Sequence, residues 1–293
     1  TEATDMVKMK LPSKGRYSGI KAVACPIVFG ALIITLWQTG ALHKILNTTT
    51  VILPMPTKIM EIMSSNGEAI WQNTAATLSV VIPGLVVGSV IGYLLAVLAC
   101  FSPRFGATGL TVIAAISAVP IVALSAVMLQ WTRKVSPDVS VRSFVMKLLI
   151  VVIVSVASMT LNAYRGLTEL PPFSLDLMKS YAAGKTTVLL KLRAPNSIPF
   201  VFTSLKVSVP ASVMAALVSE YFAEKVCGVG RMIRENILKA QYSTAWAYIA
   251  VACIIGIALF AVLSATEATV EAGNSFNVMK YISSITDDKD TED

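Results

Sequence analysis

Five stretches of this chain run for about 17 residues or more without a charged side chain. They are Ala22 to Leu42, Ala69 to Pro103, Phe105 to Thr132, Leu148 to Tyr164 and Ala240 to Thr266. Helices of that length reach across a hydrocarbon core, where only helices and closed barrels satisfy every backbone polar group. A buried helix of a water-soluble protein would keep one polar face, and these runs have none. A sixth apolar stretch, Ile198 to Phe222, is interrupted by Lys206 and carries Glu220. The overall balance points the same way, with 55% hydrophobic and 14% charged residues and a mean hydropathy of +0.71. The expectation is an all-α integral membrane protein with about six transmembrane helices. Ala22 to Leu42 is long for a secretory signal and has no small-x-small cleavage site after it, so it is expected to be retained as a helix.

The flanking charges orient the spans. With the N-terminus inside, 13 of the 24 Lys and Arg residues fall on the cytoplasmic side and 10 outside, with Lys206 in a span. The bias is small and has the same sign as the basic start, Lys8, Lys10, Lys14, Arg16 and Lys21. The expected organisation is a basic cytoplasmic segment over 1–21, a transmembrane domain over 22–272 and a polar tail over 273–293. Residues 131–143, WTRKVSPDVSVRS, form an outer loop whose structure the sequence leaves open.

Several functions are excluded. The net charge of +7 sits at membrane flanks, and no basic face carries the interleaved aromatics of a nucleic-acid surface. Cys25, Cys100, Cys227 and Cys253 lack metal-ligand spacing, and no metal site is expected. One histidine, His43, and the lack of paired intramembrane carboxylates argue against hydrolysis and against a carboxylate proton relay. Gly184-Lys185-Thr186 looks like the end of a phosphate-binding loop, but Lys179 stands where that loop needs its first glycine. A helix also precedes it instead of a strand.

Two packing signals stand out. Gly84, Gly88 and Gly92 recur every four residues, which lines one helix face with glycine and admits a neighbouring backbone; a contact to a second subunit is one use of such a face. Pro83 and Pro120 each remove a backbone donor and are expected to bend their helices, with Pro120 and Glu220 as candidate gate or pathway residues.

Between the fourth and fifth spans lies the amphiphilic segment TELPPFSLDLMKSYAAGKTTVLLKLRAPNSIPF. Leu175, Met178 and Ala182 follow a helical apolar spacing, Leu189 and Leu192 continue it, and Asp176, Lys179, Lys185, Lys191 and Arg193 supply the polar side. Pro195 and Pro199 are expected to punctuate its end. Such a segment lies on the cytoplasmic membrane surface, either against lipid head groups or against a protein partner.

This segment resembles the coupling loop of permease subunits of binding-protein-dependent ABC importers. Asp176-Leu177-Met178 stands at the Glu-Ala-Ala position of that pattern, Ala182 at its glycine, and Leu192-Arg193-Ala194-Pro195 at its hydrophobic-x-Leu-Pro ending. The spacing from Ala182 to Pro195 matches, while the Glu-Ala-Ala itself and the glycine do not. The resemblance extends over about residues 69–270, through TLSVVIPGLVVGSVIGYLLAVLACFSPRF, AISAVP, LNAYRGL, VSEYF and the glycines at Gly228 and Gly230. WTRKVSPDVSVRS departs from the family's turn.

The resemblance implies a type I ABC importer permease with a coupling loop over about 166–197. An ATPase subunit would grip Asp176, Met178, Lys179, Tyr181, Ala182, Ala183, Gly184, Lys185, Leu192, Arg193 and Pro195. It implies two ATPase subunits, a second permease identical or homologous to this one, an extracytoplasmic solute-binding protein, and no cofactor on this chain, with ATP and Mg²⁺ held by the ATPase. The style of the loop is most similar to the branch serving nitrate, sulfonates and taurine, and thiamine-pyrimidine or riboflavin-type heterocycles. A secondary transporter and a structural subunit of a larger membrane complex remain as alternatives, and the solute is not readable.

Overall fold

The computed structural model describes residues 16–289. Residues 1–15 and 290–293 lie outside the described residues, and with them Lys8, Lys10 and Lys14 of the expected basic segment. The chain forms helices α1 (Arg16–Gln38), α2 (Ala41–Ile45), α3 (Pro56–Ser65), α4 (Gly67–Phe101), α5 (Pro103–Ser117), α6 (Ile121–Thr132) and α7 (Val139–Thr168). Then follow α8 (Ser174–Ser180), α9 (Lys185–Val188), a π-helical turn (Leu189–Arg193), α10 (Ala194–Phe222), α11 (Val229–Leu238) and α12 (Tyr242–Lys289).

Among the described residues, four single helices have the length and apolarity to cross a bilayer: 67–101, 139–168, 185–222 and 242–270. The pair α5 and α6 makes a fifth if counted as one span, and residues 24–38 of α1 form a shorter apolar helix. These pieces correspond to the six expected stretches. Where a simple bend was expected at Pro120, the chain breaks, and the two arms meet at 92°. Ala118 closes α5, and Pro120, extended at φ −60° and ψ 125°, starts α6 with no N–H to continue the helix. Pro83 by contrast lies inside the continuous α4.

The expected end of the coupling segment at Pro195 and Pro199 is corrected. Both prolines lie within the long helix, which starts at Lys185 and runs to Phe222. A proline in a helix interior collides with the carbonyl four residues back. The π turn just upstream, where the Ala194 N–H donates to Leu189 O, widens the spiral at that point and lets the helix proceed. Residues 273–289 of the expected polar tail continue α12, and 290–293 lie outside the described residues.

The core is built on α4, α7 and α10. A Cβ on Gly84 would lie 2.7 Å from Val151, on Gly88 2.6 Å from Ser155, and on Gly92 2.8 Å from Met159. The glycine face is therefore occupied by α7 of the same chain, and the suggested contact to a second subunit does not use it. On the other side of α7, α10 presents Ser204, Ser208, Ser212 and Ala216, all buried. Ser155 meets Ser212 at 3.0 Å and Ser158 meets Ser204 at 3.4 Å. Small residues every four positions let both interfaces close tightly.

Candidate functional site

At one end of the bundle, α7 hands over to the amphiphilic segment. Leu175 and Met178 of α8 turn partly inward, while Asp176, Leu177, Lys179 and Tyr181 are exposed. Phe173, at φ 64° and 84% exposed, and Tyr181, 77% exposed, add two aromatic rings to this outward face. Asp176 and Lys179 form a 2.9 Å ion pair on the surface, which contributes little to stability.

The small residues Ala182, Ala183 and Gly184 lie between two helices. Ala182 adopts φ 52°, the left-handed region, so α8 ends there and α9 starts afresh at Lys185. A left-handed residue favours glycine, which is the residue the importer pattern puts at this position. Ala183, Lys185 and Arg193 line a groove of about 220 Å³ against Cys100 and Phe101 at the end of α4. The eleven candidate coupling residues thus divide in two. Asp176 to Lys185 form the short helix and its hinge, whereas Leu192, Arg193 and Pro195 belong to the base of the long span.

That base is tied to α7. Arg193 Nη1 donates to Leu167 O at 2.8 Å and to Cys100 Sγ at 3.1 Å. Asn196 Nδ2 donates to Gly166 O at 2.7 Å and Glu169 O at 3.0 Å. The two ends of the α8 loop are therefore clamped to each other.

At the opposite end, Glu220 is wholly buried and faces its own chain. Its carboxylate accepts from Thr77 Oγ1 at 2.9 Å and from the Gly230 N–H at 2.8 Å, with Lys147 Nζ at 3.9 Å. The Val229 N–H donates to Thr77 Oγ1 at 3.0 Å and the Gly228 N–H to Asn73 Oδ1 at 2.9 Å. Three consecutive N–H groups at the start of α11 are thus answered by side chains of α4 and α10, since no local side chain caps that helix. A carboxylate there also meets the positive end of the α11 dipole. Gly228 has φ 104°, and a Cβ on it would collide with the Glu220 carboxyl, so only glycine fits.

The loop left open over 131–143 closes onto this end. Arg133 Nη2 lies 3.1 Å from Glu224 Oε1, and Arg142 pairs with the other Glu224 oxygen. Arg142, with help from Arg133, holds the Glu224 carboxyl below its ordinary range. Asp138 caps α7 by accepting from the Ser140 N–H at 2.7 Å. Asn73, Lys147, Arg133, Arg142 and Glu224 escaped the sequence reading, and Thr77 and Gly228 appeared there only as motif letters. The charged ones showed only as charge beside a span, because partners as far apart as Arg142 and Glu224, 82 positions, or Asn73 and Gly228, 155 positions, leave no local pattern. Pro120, the remaining candidate, sits at the α5–α6 break, where its carbonyl accepts from the Leu124 N–H at 3.1 Å.

Residues 84–271, which include the α8 loop and Glu220, match the family of binding-protein-dependent transport system inner membrane components. The chain belongs to that family. Among similar proteins, the "Probable ABC transporter permease protein" of Haemophilus influenzae is 23% identical over 80% of this chain and 91% of its own length. The "Formylaminopyrimidine transport permease protein ThiX" of Halalkalibacterium halodurans is 24% identical over 83% and 92%. The "Riboflavin transport system permease protein RibX" of Chloroflexus aurantiacus is 24% identical over 81% and 84%. This chain is thus a multi-pass ABC importer permease, a transport subunit and not an enzyme, and the secondary-transporter and structural-subunit readings fall away.

Proposed function

We propose that this permease lies in the inner, cytoplasmic membrane with its N-terminus inside. A small water-soluble solute, delivered by an extracytoplasmic binding protein, crosses it, driven by two ATPase subunits beneath two permeases, identical or homologous. ATP and Mg²⁺ belong to the ATPase. The observation that carries the reading is the outward face of α8: Phe173, Leu177 and Tyr181 are apolar and exposed beyond the spans, on a loop whose ends are clamped to α7 and α10. An exposed aromatic cluster on so short a helix suits a partner's cleft, and the clamp converts movement of α8 into movement of the core. The same face could rest on lipid head groups, and the test separates the two.

Leu177→Asp puts a charge on that face without touching the spans. Expected is normal membrane insertion with ATPase co-purification weakened by about tenfold or more, each decade corresponding to roughly 1.4 kcal/mol, and loss of solute-stimulated hydrolysis. Full retention of the ATPase by this variant would reduce α8 to a lipid-surface helix.

A further inference from the structure

The break between α5 and α6 opens onto a cavity of about 400 Å³. Its walls include Ile153 at the centre of α7, Ser158 and Asn162 further along that helix, and Ala211 from the interior of α10, which places it within the depth of two spans. Irregular backbone at that depth is tolerated only where it is buried in protein or lines a water-filled space. Here no side chain caps the start of α6, and helix starts leave their first N–H groups without an intrahelical acceptor.

The lining is mostly aliphatic, with three polar side chains, Ser117, Ser158 and Asn162, and no charged one among the described residues. Asn162 uses one N–H on Ser158 O at 2.9 Å, and among the described residues its amide oxygen and second N–H have no hydrogen-bond partner. Two ion pairs within the spans, Lys147 with Glu220 and Lys206 with Glu267, lie away from this cavity. An ion entering the cavity would lose hydration with no counter-charge to replace it. A neutral ring with donors and acceptors at its edge would lose little, because its faces fit aliphatic walls and its edge fits an amide and two hydroxyls.

We propose that this cavity is the mid-membrane station of the transported solute, and that it admits a neutral hydrogen-bonding solute in preference to an anion or a cation. The proposal rests on the importer reading and deepens it by naming the solute class.

Its test uses three probes with one reactive group and different charge: hydroxyethyl, sulfonatoethyl and trimethylammonioethyl methanethiosulfonate. They react with thiolates, which form only in contact with water. In native membrane vesicles, with Cys25, Cys100, Cys227 and Cys253 replaced by alanine, Ser117→Cys and Ser158→Cys are introduced singly. Each changes one atom, so the fold is retained. Val90→Cys, on the exposed outer face of α4, is the lipid control. With every rate normalised to a free thiol, both cavity positions should react with the hydroxyethyl probe about tenfold or more faster than with either charged probe, as expected for an uncharged wet site. Val90→Cys should react with none.

Silence of both cavity cysteines toward the hydroxyethyl probe would show a dry cavity and end the proposal. A smaller preference than tenfold would end the neutral-solute assignment. Labelling requires neither transport nor an ATPase, so its outcome is independent of the Leu177→Asp experiment that judges the importer reading.

Discussion

Single residues matter most in this chain where one side chain answers two helices. Thr77 does so, donating to Glu220 and accepting from the Val229 N–H, both wholly buried. Thr77→Val keeps the shape and removes both bonds, leaving a carboxylate oxygen and a backbone donor short of partners at about 1 to 3 kcal/mol each. Thermal unfolding in detergent should show a clear drop for Thr77→Val, little change for Thr77→Ser, and a larger drop for Gly228→Ala, whose Cβ has no room beside Glu220. A Thr77→Val protein melting with the wild type would mean that the network is incidental. The sequence offered Glu220 as an isolated intramembrane charge because its partners lie 143 residues away at Thr77 and on the far flank of another span at Lys147. What looked like an unpaired charge is the capping group of a helix in another part of the chain.

Among elements, the legible ones were those whose rule is periodic. Apolar length revealed the long spans, and the four-residue glycine spacing revealed a close interface, because both follow from the geometry of one helix alone. Which surface covers that interface is a tertiary fact, and the answer is α7 of the same chain. The serine row Ser204, Ser208 and Ser212 has the same spacing and was readable by the same rule, but hydroxyls among apolar residues drew no notice. Within the expected coupling segment, Ala182 takes a left-handed conformation that alanine does not advertise, so the segment divides into α8, a hinge and the base of the long span. The occupied glycine face has a measurable consequence. Gly88→Ala drives a Cβ to 2.6 Å from Ser155 and 2.8 Å from Val152 O, which forces α4 and α7 apart at a cost of about 1 to 3 kcal/mol. Thermal stability should fall while native mass shows an unchanged number of permeases per assembly. A lowered permease count at unchanged chain stability would restore the glycine face to a subunit contact.

For the molecule as a whole, α4, α7 and α10 form a body pinned at both ends, and α12 is its loosely covered neighbour. The apolar part of α12 is 11% buried, against 44% for α7. Its start is well anchored, with Trp246 Nε1 donating to Ile52 O at 2.9 Å and Trp37 stacked edge-on against the indole at 5.6 Å. Further along, Ile254, Ile257, Phe260 and Val262 are exposed, so this stretch relies on lipid or a partner for cover. Lys206, the cation that interrupts the sixth apolar stretch, pairs with Glu267 and fastens the far part of α12 to α10. Both side chains are mostly withdrawn from solvent, so removing one strands the other near an apolar phase. Lys206→Met should therefore loosen α12 beyond Phe260, which a spin label on that stretch would report as increased mobility, with a stability loss of about 1 kcal/mol or more. The exchanged pair, Lys206→Glu with Glu267→Lys, should recover most of that loss, because the contact needs opposite charges and not a particular direction. Lys206→Glu alone should be worse than Lys206→Met, since two carboxylates would then face each other. If the exchanged pair were no better than its worse single variant, the ion pair would not be what holds α12, and its apolar contacts with α10 and α11 would carry the attachment.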